Sequence, residues 1–454
     1  MPGPESSPPG GSHAHPTVQT RSLFLNDQQL QTRYQALLDE YQSISSQKLN
    51  LDLTRGKPST AQLDLSDALD GILNKDYSCQ DGSDSRNYGG IMGIPEARQF
   101  AADYLGTVPE RTMVGGNSSL QFMYQIVTGA FFLGVRGPES AWSAEAAKAG
   151  GQVKFLCPSP GYDRHFAICE ALGIAMIPVR MTAEGPDMDQ VESLLQQDPL
   201  IKGIWCVPQY SNPDGVVYSD ATVKRMARLG KIAGANFRIM WDNAYSEHHL
   251  VDNPPRLANI LNLSEEAGTL DNVMVIGSTS KITHAGAGIS FIASSEANLA
   301  SLAAQLGIAT IGPDKINQLR HMRLLKDLPT LRALMQEHRR ILQPKFEAVL
   351  KALDEGLAGK SVNGAALGSW TRPQGGYFIL FDTQPGLADK VVKLTAAAGV
   401  KLTPAGSTYP YRKDPSDTNI RLAPSFPSVA EIEAAMRVFV LCVELATLEK
   451  ALAL

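Results

Sequence analysis

The two most informative stretches of this sequence are Gly277-Ser278-Thr279-Ser280-Lys281 and, upstream, Trp241-Asp242-Asn243-Ala244-Tyr245. The first is a hydroxyl-rich turn that ends in a lysine, and the second places an aspartate and a tyrosine close together. This combination suits a Schiff base with pyridoxal phosphate (PLP), which needs an amine and a carboxylate that keeps the cofactor's pyridine nitrogen protonated. Taken alone, the lysine turn is weak evidence for a PLP site, because most lysines after small polar residues are solvated surface groups.

The composition is that of an ordinary globular protein, with 43% hydrophobic and 19% charged residues in a chain of 454. A net charge of −5, without a run of Lys or Arg, argues against nucleic-acid binding. No apolar stretch approaches the ~20 residues that span a bilayer, so we expect no membrane association. The five scattered cysteines argue against a disulfide framework or a zinc site, and they predict a cytoplasmic location.

The sequence divides into four segments. Residues 1–20 are rich in Pro, Gly, Ser and His, which predicts a disordered tail. Residues 21–66 are predicted to form an N-terminal helix and a loop that belong to a small domain. Residues 67–327 are predicted to form a large PLP-binding domain, and residues 328–454 a connector helix followed by the C-terminal part of the small domain.

Short apolar runs alternate with helical stretches in the large segment. The predicted strands are 153–156, 174–179, 203–207, 238–241, 272–276 and 288–293, and the predicted helices include 163–172 and 220–233. Such alternation favours an α/β fold with a mostly parallel, doubly wound sheet and sites at the carboxyl ends of its strands. The connector helix is predicted over 329–353, the small α+β domain has strands near 377–381 and 419–422, and a final helix begins at 428.

Two glycine-rich turns that precede helices predict a phosphate site. One contains Asn87-Tyr88-Gly89-Gly90 and the other Gly115-Gly116-Asn117-Ser118-Ser119. Free backbone N–H groups, hydroxyls and the positive end of a helix dipole bind anions, although Ser118 or Ser119 is equally well interpreted as a helix N-cap. Tyr162, after a strand, is either a cover for a flat ring or a core residue, and Asn212-Pro213 alone is a common turn.

Together these motifs resemble the class I/II aminotransferases, which are fold-type I PLP-dependent enzymes, from about residue 50 to the end of the chain. The most specific similarities, in the family's order, are Asn87-Tyr88-Gly89-Gly90-Ile91-Met92-Gly93-Ile94-Pro95-Glu96, Asn212-Pro213, Asp242 with Tyr245, Ser278-Thr279-Ser280-Lys281 and Asn419-Ile420-Arg421-Leu422. Gln318-Leu319-Arg320-His321 and Thr283-His284-Ala285-Gly286-Ala287-Gly288 are similar to a divergent bacterial aspartate aminotransferase subgroup. The resemblance implies the fold-type I PLP-dependent transferase architecture.

The resemblance also implies a role for each matching residue. Lys281 would bind PLP covalently and move the substrate's α-proton, with Asp242 on the pyridine nitrogen. Tyr245 and Asn212 would bind the ring's phenolic oxygen, and Tyr162 would stack on the ring. The phosphate would be bound by Ser118, Ser119, Ser278 and Ser280, joined by Tyr88 from the neighbouring subunit of a homodimer with shared active sites.

The substrates implied are an amino acid and a 2-oxo acid. Arg421 would bind the α-carboxylate in a bidentate fork, a geometry that arginine supplies and lysine does not. The remaining implied contacts are Asn212, Gly56, Arg55 and Lys57, the last three in a loop that relatives fold over the substrate. A dicarboxylic substrate needs a second cation, for which Arg55, Lys57, Lys315 and Arg320 are candidates; for each one, a surface charge is an equally good interpretation.

One position departs from the family pattern. Many relatives have a phosphate-binding arginine seven or eight residues after the lysine, where this sequence has Gly288 and Ile289. The negative charge of the phosphate must then be balanced by the serines and the helix N-terminus, together with any cation that the family motif does not identify.

The predicted function is the transfer of the amino group of aspartate, or of another dicarboxylic amino acid, to 2-oxoglutarate. Another PLP reaction on the same scaffold, such as a lyase reaction, is one alternative. A non-enzymatic aminotransferase-like sensor is the second, although only about fifty residues precede the first motif, too few for a winged-helix domain. Glu247-His248-His249 is a weaker candidate for metal binding, because adjacent histidines do not readily share an ion, and we predict no metal.

Overall fold

The computed structural model describes residues 27–454. The predicted disordered tail, 1–20, lies outside the described residues. No helix in 27–454 is both long and apolar enough to cross a membrane.

The helices of the described residues are α1 Asp27–Ser45, α2 Thr60–Asp64, α3 Pro95–Leu105, α4 Ser119–Phe132, α5 Trp142–Ala149, α6 Asp163–Ala171, α7 Met188–Gln197, α8 Asp220–Met226, α9 Gly230–Ala233, α10 Ile260–Ala267, α11 Glu296–Ala309, α12 Lys315–Leu325, α13 Leu328–Leu357, α14 Ala388–Ala397 and α15 Val429–Ala451. The strands are β1 Leu51–Asp52, β2 Thr112–Val114, β3 Lys154–Ser159, β4 Ala175–Thr182, β5 Gly185–Pro186, β6 Ile201–Cys206, β7 Arg238–Asp242, β8 Val273–Ser278, β9 Ser290–Ala293, β10 Ser361–Val362, β11 Ala365–Ala366, β12 Gly368–Trp370, β13 Ile379–Thr383, β14 Val400–Lys401 and β15 Asn419–Leu422.

A central sheet of eight strands organises the larger part of the molecule, in the order β2-β9-β8-β7-β6-β3-β4-β5. The pairs from β8 through β7, β6 and β3 to β4 are parallel, and β9 and β5 run antiparallel to their neighbours. Helices cover both faces, so every residue of β6 is buried, which explains its nearly continuous apolar sequence. The predicted α/β fold with a mostly parallel sheet is confirmed.

The two faces of this sheet have separate cores. Met240 and Trp241 are consecutive in β7, and because side chains alternate along a strand, they enter opposite cores. A third core unites the N-terminal and C-terminal parts of the chain. There β1 pairs with β14, and the antiparallel sheet β12-β13-β15 packs with α13, α1 and α15. The boundaries predicted for the domains stay predictions.

The structure differs from the sequence-based elements mainly at short or interrupted ones. The predicted helix 220–233 is two helices, α8 and α9, separated by the turn at 227–229. The short strand β2 was not predicted, because three residues carry too little periodicity and its order depends on pairing with β9. The predicted strand 288–293 begins later, at Ser290, because Gly288 and Ile289 belong to the turn that follows the lysine.

Candidate active site

The candidate site lies at the carboxyl edge of the parallel strands. Asp242 is the last residue of β7, Ser278 is the last residue of β8, and Tyr162 follows β3. Because these strands run in the same direction, their carboxyl ends lie at one edge of the sheet, where doubly wound folds bind ligands. The topology therefore brings together residues that are far apart in sequence.

Asp242 is buried and has one oxygen free. Its Oδ2 atom accepts a hydrogen bond from His165 Nε2 at 3.2 Å, and both side chains are almost fully buried. His165 in turn stacks on Trp205, with ring centroids 4.4 Å apart. The Oδ1 atom has no hydrogen-bond partner, and a buried carboxylate oxygen without a partner is costly. This atom fits an N–H donor from a bound ring, such as a pyridinium.

Sequence reasoning did not find His165. It stands three positions after Tyr162, at the first turn of α6, and its ring lies edge-on to that tyrosine at 4.9 Å. The signal that could have identified His165 is its spacing from Tyr162, because residues three apart lie on the same face of a helix.

Lys281 follows β8 and lies near Asp242 and Tyr245. Burial lowers the pKa of its ammonium, against the opposing attraction of the Asp242 charge. Its Nζ atom is 5.0 Å from the centre of the Tyr245 ring. Burial also raises the pKa of the Tyr245 hydroxyl well above its usual value, and the Asp242 charge adds to this increase while Arg421 opposes it, so this hydroxyl is protonated and able to donate at neutral pH.

Arg421 projects from β15 into the same region. Its Nη1 atom donates to Asn212 Oδ1 and to Asp163 Oδ1, both at 3.2 Å, and its Nη2 atom donates to Thr403 Oγ1 at 3.3 Å. The guanidinium lies 4.9 Å from the centre of the Phe378 ring. Its Nε atom is buried without a partner. A charged donor with unused capacity, held in a fixed plane, fits the carboxylate of a small substrate.

The segments that could bind a phosphate meet at the N-terminus of α4. Ser118 is the N-cap residue but makes no side-chain cap bond, and Ser119 is the first helical residue. Ser280 Oγ donates to the carbonyl of Asn117 at 3.0 Å, which joins the lysine turn to this helix start. Hydroxyls and free N–H groups at the start of a helix of 14 residues suit an anion. Ser278, at the end of β8, borders the same turn.

The absence of the usual arginine has a steric reason. A Cβ atom on Gly288 would lie 2.9 Å from Thr279 Oγ1 and 3.1 Å from the Ser280 amide nitrogen. The next residue, Ile289, is buried, and its amide donates to Thr279 Oγ1 at 2.9 Å. Neither position can direct a long cationic side chain towards a phosphate without a rearrangement of the turn.

The remaining predicted residues occupy different surroundings. Tyr88 is 84% exposed. Lys315 is buried, and its ammonium donates to the carbonyls of Asn87 and Gly89, on either side of that tyrosine, at 2.6 and 2.7 Å. Arg320 Nε donates to the carbonyl of Leu69 at 3.0 Å. Lys315 and Arg320 each therefore donate to backbone carbonyls.

The loop before α2 contains the other candidates. Gly56 packs so closely on Phe378 that a Cβ atom would lie 2.5 Å from the ring, which explains the glycine. Arg55 is exposed, and the Lys57 ammonium lies 3.8 Å from the centre of the Phe426 ring. The glycine between these two cations thus lies against Phe378, the aromatic residue that also contacts the Arg421 guanidinium.

The alternative metal site is not formed by the described side chains. Glu247 hydrogen-bonds to Arg332, and His248 donates to a backbone carbonyl, so the two side chains do not converge. Across residues 27–454, no group of three or more His, Cys, Asp or Glu side chains is arranged to hold a metal ion.

The fold and the site define a class of protein. A doubly wound α/β sheet with a half-buried lysine, a buried aspartate with a free oxygen and a hydroxyl-lined helix N-terminus fits a PLP-dependent transferase. The profile of the family described as aspartate amino-transferase matches residues 25–453.

Individual relatives agree with the family match. The chain is 44% identical to an aspartate aminotransferase of Corynebacterium glutamicum, over 90% of this chain and 92% of the relative. It is similar to the crystal structure of an aspartate transaminase from that organism, with a TM-score of 0.88, 42% identity and coverage of 94% and 98% of the two chains. An α-aminoadipate aminotransferase of Thermus thermophilus, solved with a phosphopyridoxyl-leucine, shares the fold at a TM-score of 0.68 and 22% identity, over 93% and 97% of the two chains.

The chain belongs to the aspartate aminotransferase family. It is a PLP-dependent aminotransferase, and the predictions of a lyase reaction or of a non-enzymatic sensor are set aside.

Proposed function

We propose that this enzyme transfers the amino group of aspartate, or of another dicarboxylic amino acid, to 2-oxoglutarate, with Lys281, Asp242 and Tyr245 as its catalytic residues. The observation on which the proposal rests is the position of the half-buried Lys281 amine, 5.0 Å from the centre of the Tyr245 ring and within the electrostatic influence of the Asp242 carboxylate, which has one free oxygen. PLP, when bound, supplies an electron sink for the carbanion formed at the substrate's α-carbon.

Each residue has a distinct task in this proposal. Asp242, oriented by His165, holds a proton on the ring nitrogen through its free Oδ1 atom. Lys281 holds the cofactor and moves the α-proton, which its lowered pKa favours because a general base must be neutral part of the time. Tyr245 and Asn212 bind the phenolic oxygen and Tyr162 covers the ring. Ser118, Ser119, Ser278 and Ser280 bind the phosphate.

Substrate binding combines a fixed arginine with a loop. Arg421 binds the α-carboxylate through its unused N–H capacity, alongside Asn212. Arg55 or Lys57 binds the distal carboxylate of the substrate. Gly56, which has no side chain, allows the loop to pack against Phe378. The names of the Corynebacterium relatives support a dicarboxylic substrate. A screen of amino donors with 2-oxoglutarate tests the proposal: aspartate should be preferred, and preference for a neutral or aromatic donor would contradict it.

The functional unit in this proposal is a cytoplasmic homodimer in which Tyr88 reaches the phosphate of the partner subunit. Tyr88 is 84% exposed, and Ile308 in the last turn of α11 and Ile311 just after it are 83% and 63% exposed. Gly312 packs against the carbonyl of Gly89, so this apolar surface lies near Tyr88. The five cysteines are buried and free, which supports a reducing compartment.

Subunit mixing tests the shared site. The variants Tyr88→Phe and Lys281→Ala are expected to be impaired as separate homodimers. Mixed after co-refolding, they should regain activity, because each heterodimer contains one site with both native residues. Sedimentation that showed a fully active monomer, or mixtures no better than their components, would contradict the proposal.

A further inference from the structure

Three side chains outside the cofactor cradle converge on the backbone of Lys281 and Ile282. His248 Nε2 donates to the carbonyl of Lys281 at 3.1 Å, and the Tyr377 hydroxyl donates to the same oxygen at 3.4 Å. His338 Nε2 donates to the next carbonyl, that of Ile282, at 2.8 Å. All three are at most 3% exposed, so these bonds form away from solvent.

The peptide unit after Lys281 is thereby fixed at both ends. Its carbonyl accepts from His248, and its N–H group, on Ile282, donates to the carbonyl of Thr279 at 2.8 Å. A peptide plane is rigid, so fixing both of its polar ends sets the backbone angle at Lys281. This angle determines where the four-carbon side chain begins and therefore where its amine lies.

The hydrogen bonds define which nitrogen of each ring carries the proton. Gln62 Nε2 donates to His338 Nδ1 at 3.2 Å and to the Tyr377 oxygen at 3.0 Å, so the proton of His338 resides on Nε2. Gln62 is itself fully buried, and its oxygen accepts from the Ser59 amide. Burial lowers the pKa of His248 to about 3 and the pKa of His338 below its usual value, so both rings are neutral at pH 7.

The hydrogen-bonded group of Gln62, Tyr377, His248 and His338 connects the core that contains Tyr377 with the core that contains Ile282. Gln62 lies in α2, directly after the loop that contains Arg55 and Lys57, and Tyr377 belongs to the core shared by the N-terminal and C-terminal parts. His338 lies in the long helix α13. The backbone of the lysine is consequently held from outside the sheet that carries it.

We infer that His248 and His338, supported by Gln62 and Tyr377, are positioning residues that act through the Lys281 and Ile282 carbonyls to place the Lys281 amine. Misplacement of a reacting group by about 1 Å costs on the order of 10²-fold in rate. Loss of these bonds should therefore affect the steps in which Lys281 moves a proton more than it affects substrate binding. This inference rests on the proposed role of Lys281.

The geometry supplies a matched pair of substitutions at each histidine. A glutamine amide nitrogen reaches about as far as the imidazole Nε2 atom, whereas the shorter asparagine reaches only as far as Nδ1. His248→Gln and His338→Gln should therefore keep the donor to the carbonyl, and His248→Asn and His338→Asn should lose it. Comparison of Gln with Asn at one position separates the hydrogen bond from the mere presence of a histidine.

Three measurements are made on each purified, PLP-loaded variant: kcat and KM for the amino donor, the pH midpoint of the cofactor's visible absorption band, and the melting temperature. The Asn variants should lose about tenfold in kcat with KM within about twofold of wild type. They should also move the absorption midpoint by about half a pH unit or more, because the band reports the surroundings of the lysine nitrogen. The Gln variants should stay near wild type in both.

Asn272→Ala is the structural control. Asn272 is buried and also donates to backbone carbonyls, those of Gly234 and Phe237, but it precedes β8 and so lies at the opposite end of that strand from Lys281. This variant should lower the melting temperature and leave kcat and the absorption midpoint unchanged.

The inference is overturned if the Gln and Asn variants behave alike at both positions, or if the absorption midpoint of the Asn variants equals that of wild type. Borohydride reduction of the wild-type protein followed by peptide mapping separates this failure from a failure of the proposed function. Label on a lysine other than Lys281 would reject the proposed function itself, whereas label on Lys281 with indistinguishable Gln and Asn variants would reject the positioning role alone.

Discussion

At the cofactor end of the site, Asp242 and His165 are buried and bound to each other, whereas at the loop end Arg55 is exposed and Lys57 contacts a single aromatic ring. The first arrangement is fixed before any ligand binds, because each side chain has a partner that limits its rotation. In the second, both cations are exposed, so neighbouring side chains restrict them less. In the proposed function, the residues that hold the cofactor therefore lie at the packed sheet edge, whereas the residues that select the substrate lie on an exposed loop.

Lys281→Ala tests the cofactor end with the largest expected effect. Turnover should fall by about 10³-fold or more, because the amine both holds the cofactor and moves the proton. After borohydride reduction, mass spectrometry should find PLP attached to the wild-type protein and absent from the variant. Lys401→Ala, at an exposed lysine of β14, is the control and should retain the label. Covalent PLP on the Lys281→Ala protein would contradict the assignment.

Asp242→Ala also tests the cofactor end of the site, at a residue that acts on the ring nitrogen and not on the substrate's α-carbon. PLP should remain bound, while kcat falls by about 10²- to 10³-fold, because the ring nitrogen loses the carboxylate that keeps it protonated. Asp252→Ala removes an exposed carboxylate, one that pairs with Arg339, and should leave kcat near wild type. Near-normal turnover of Asp242→Ala would show that this carboxylate does not hold the ring nitrogen.

Alanine variants at Arg55 and Lys57 test the loop end. The residue that reads the distal carboxylate should lose about 2–4 kcal/mol in kcat/KM for aspartate, with little change for alanine as the donor. Lys315→Ala and Arg320→Ala are the comparison variants, since those side chains are bound to backbone carbonyls. They should reduce both donors to the same extent. Equal losses for aspartate and alanine in all four variants would end the aspartate assignment, though not the aminotransferase assignment.

The smallest expected effect concerns the pH dependence of the free energy of unfolding, through His321 in α12. Burial lowers the pKa of His321 to about 4, and its ring accepts from the Thr283 hydroxyl and donates to the Asn317 carbonyl. Because the folded-state pKa lies below the unfolded value of about 6.5, this contribution to stability is complete above pH ~6.5 and is lost as the pH falls towards 4.

Urea unfolding at pH 7.5 and 5.5 measures this contribution. His321→Gln cannot titrate, so between these pH values it should lose about 1 kcal/mol less stability than the wild-type protein. The comparison is made on the difference between the two proteins, because other buried histidines respond to acid in both. Parallel losses in variant and wild type would show that His321 does not titrate on unfolding in this range.

Sequence reasoning predicted the fold, which is confirmed, and a set of site residues that the structure places at one edge of the sheet. The strands that end at Asp242 and Ser278 could be predicted because both faces of the sheet are covered and their sequences are nearly continuous apolar runs. His248 and His338 could not be found in this way, and the helical spacing from Tyr162 was the single local signal for His165. The positions of His165, His248 and His338 matter because of partners 77, 33 and 56 residues distant in the chain, and no local pattern encodes such contacts.

Gly288, where the family pattern has an arginine, is a second example of a feature that depends on contacts the sequence does not reveal. The sequence revealed that an arginine was missing but gave no reason. The reason is the close approach of Thr279 and Ser280, which leaves no space for a side chain. Lys315 was predicted as a possible substrate cation from its place along the chain, whereas its partners are two carbonyls that only the folded backbone brings together.

Those two carbonyls flank Tyr88, whose ring is largely exposed while the loop that bears it is held from below by a buried ammonium. A side chain presented on a loop that is already ordered loses less conformational entropy on association than one presented on a loose segment, where each immobilised side chain costs about 0.5–1.5 kcal/mol. In the proposed homodimer, Lys315 would preorganise the surface around Tyr88 for the partner subunit through its bonds to the backbone of this loop.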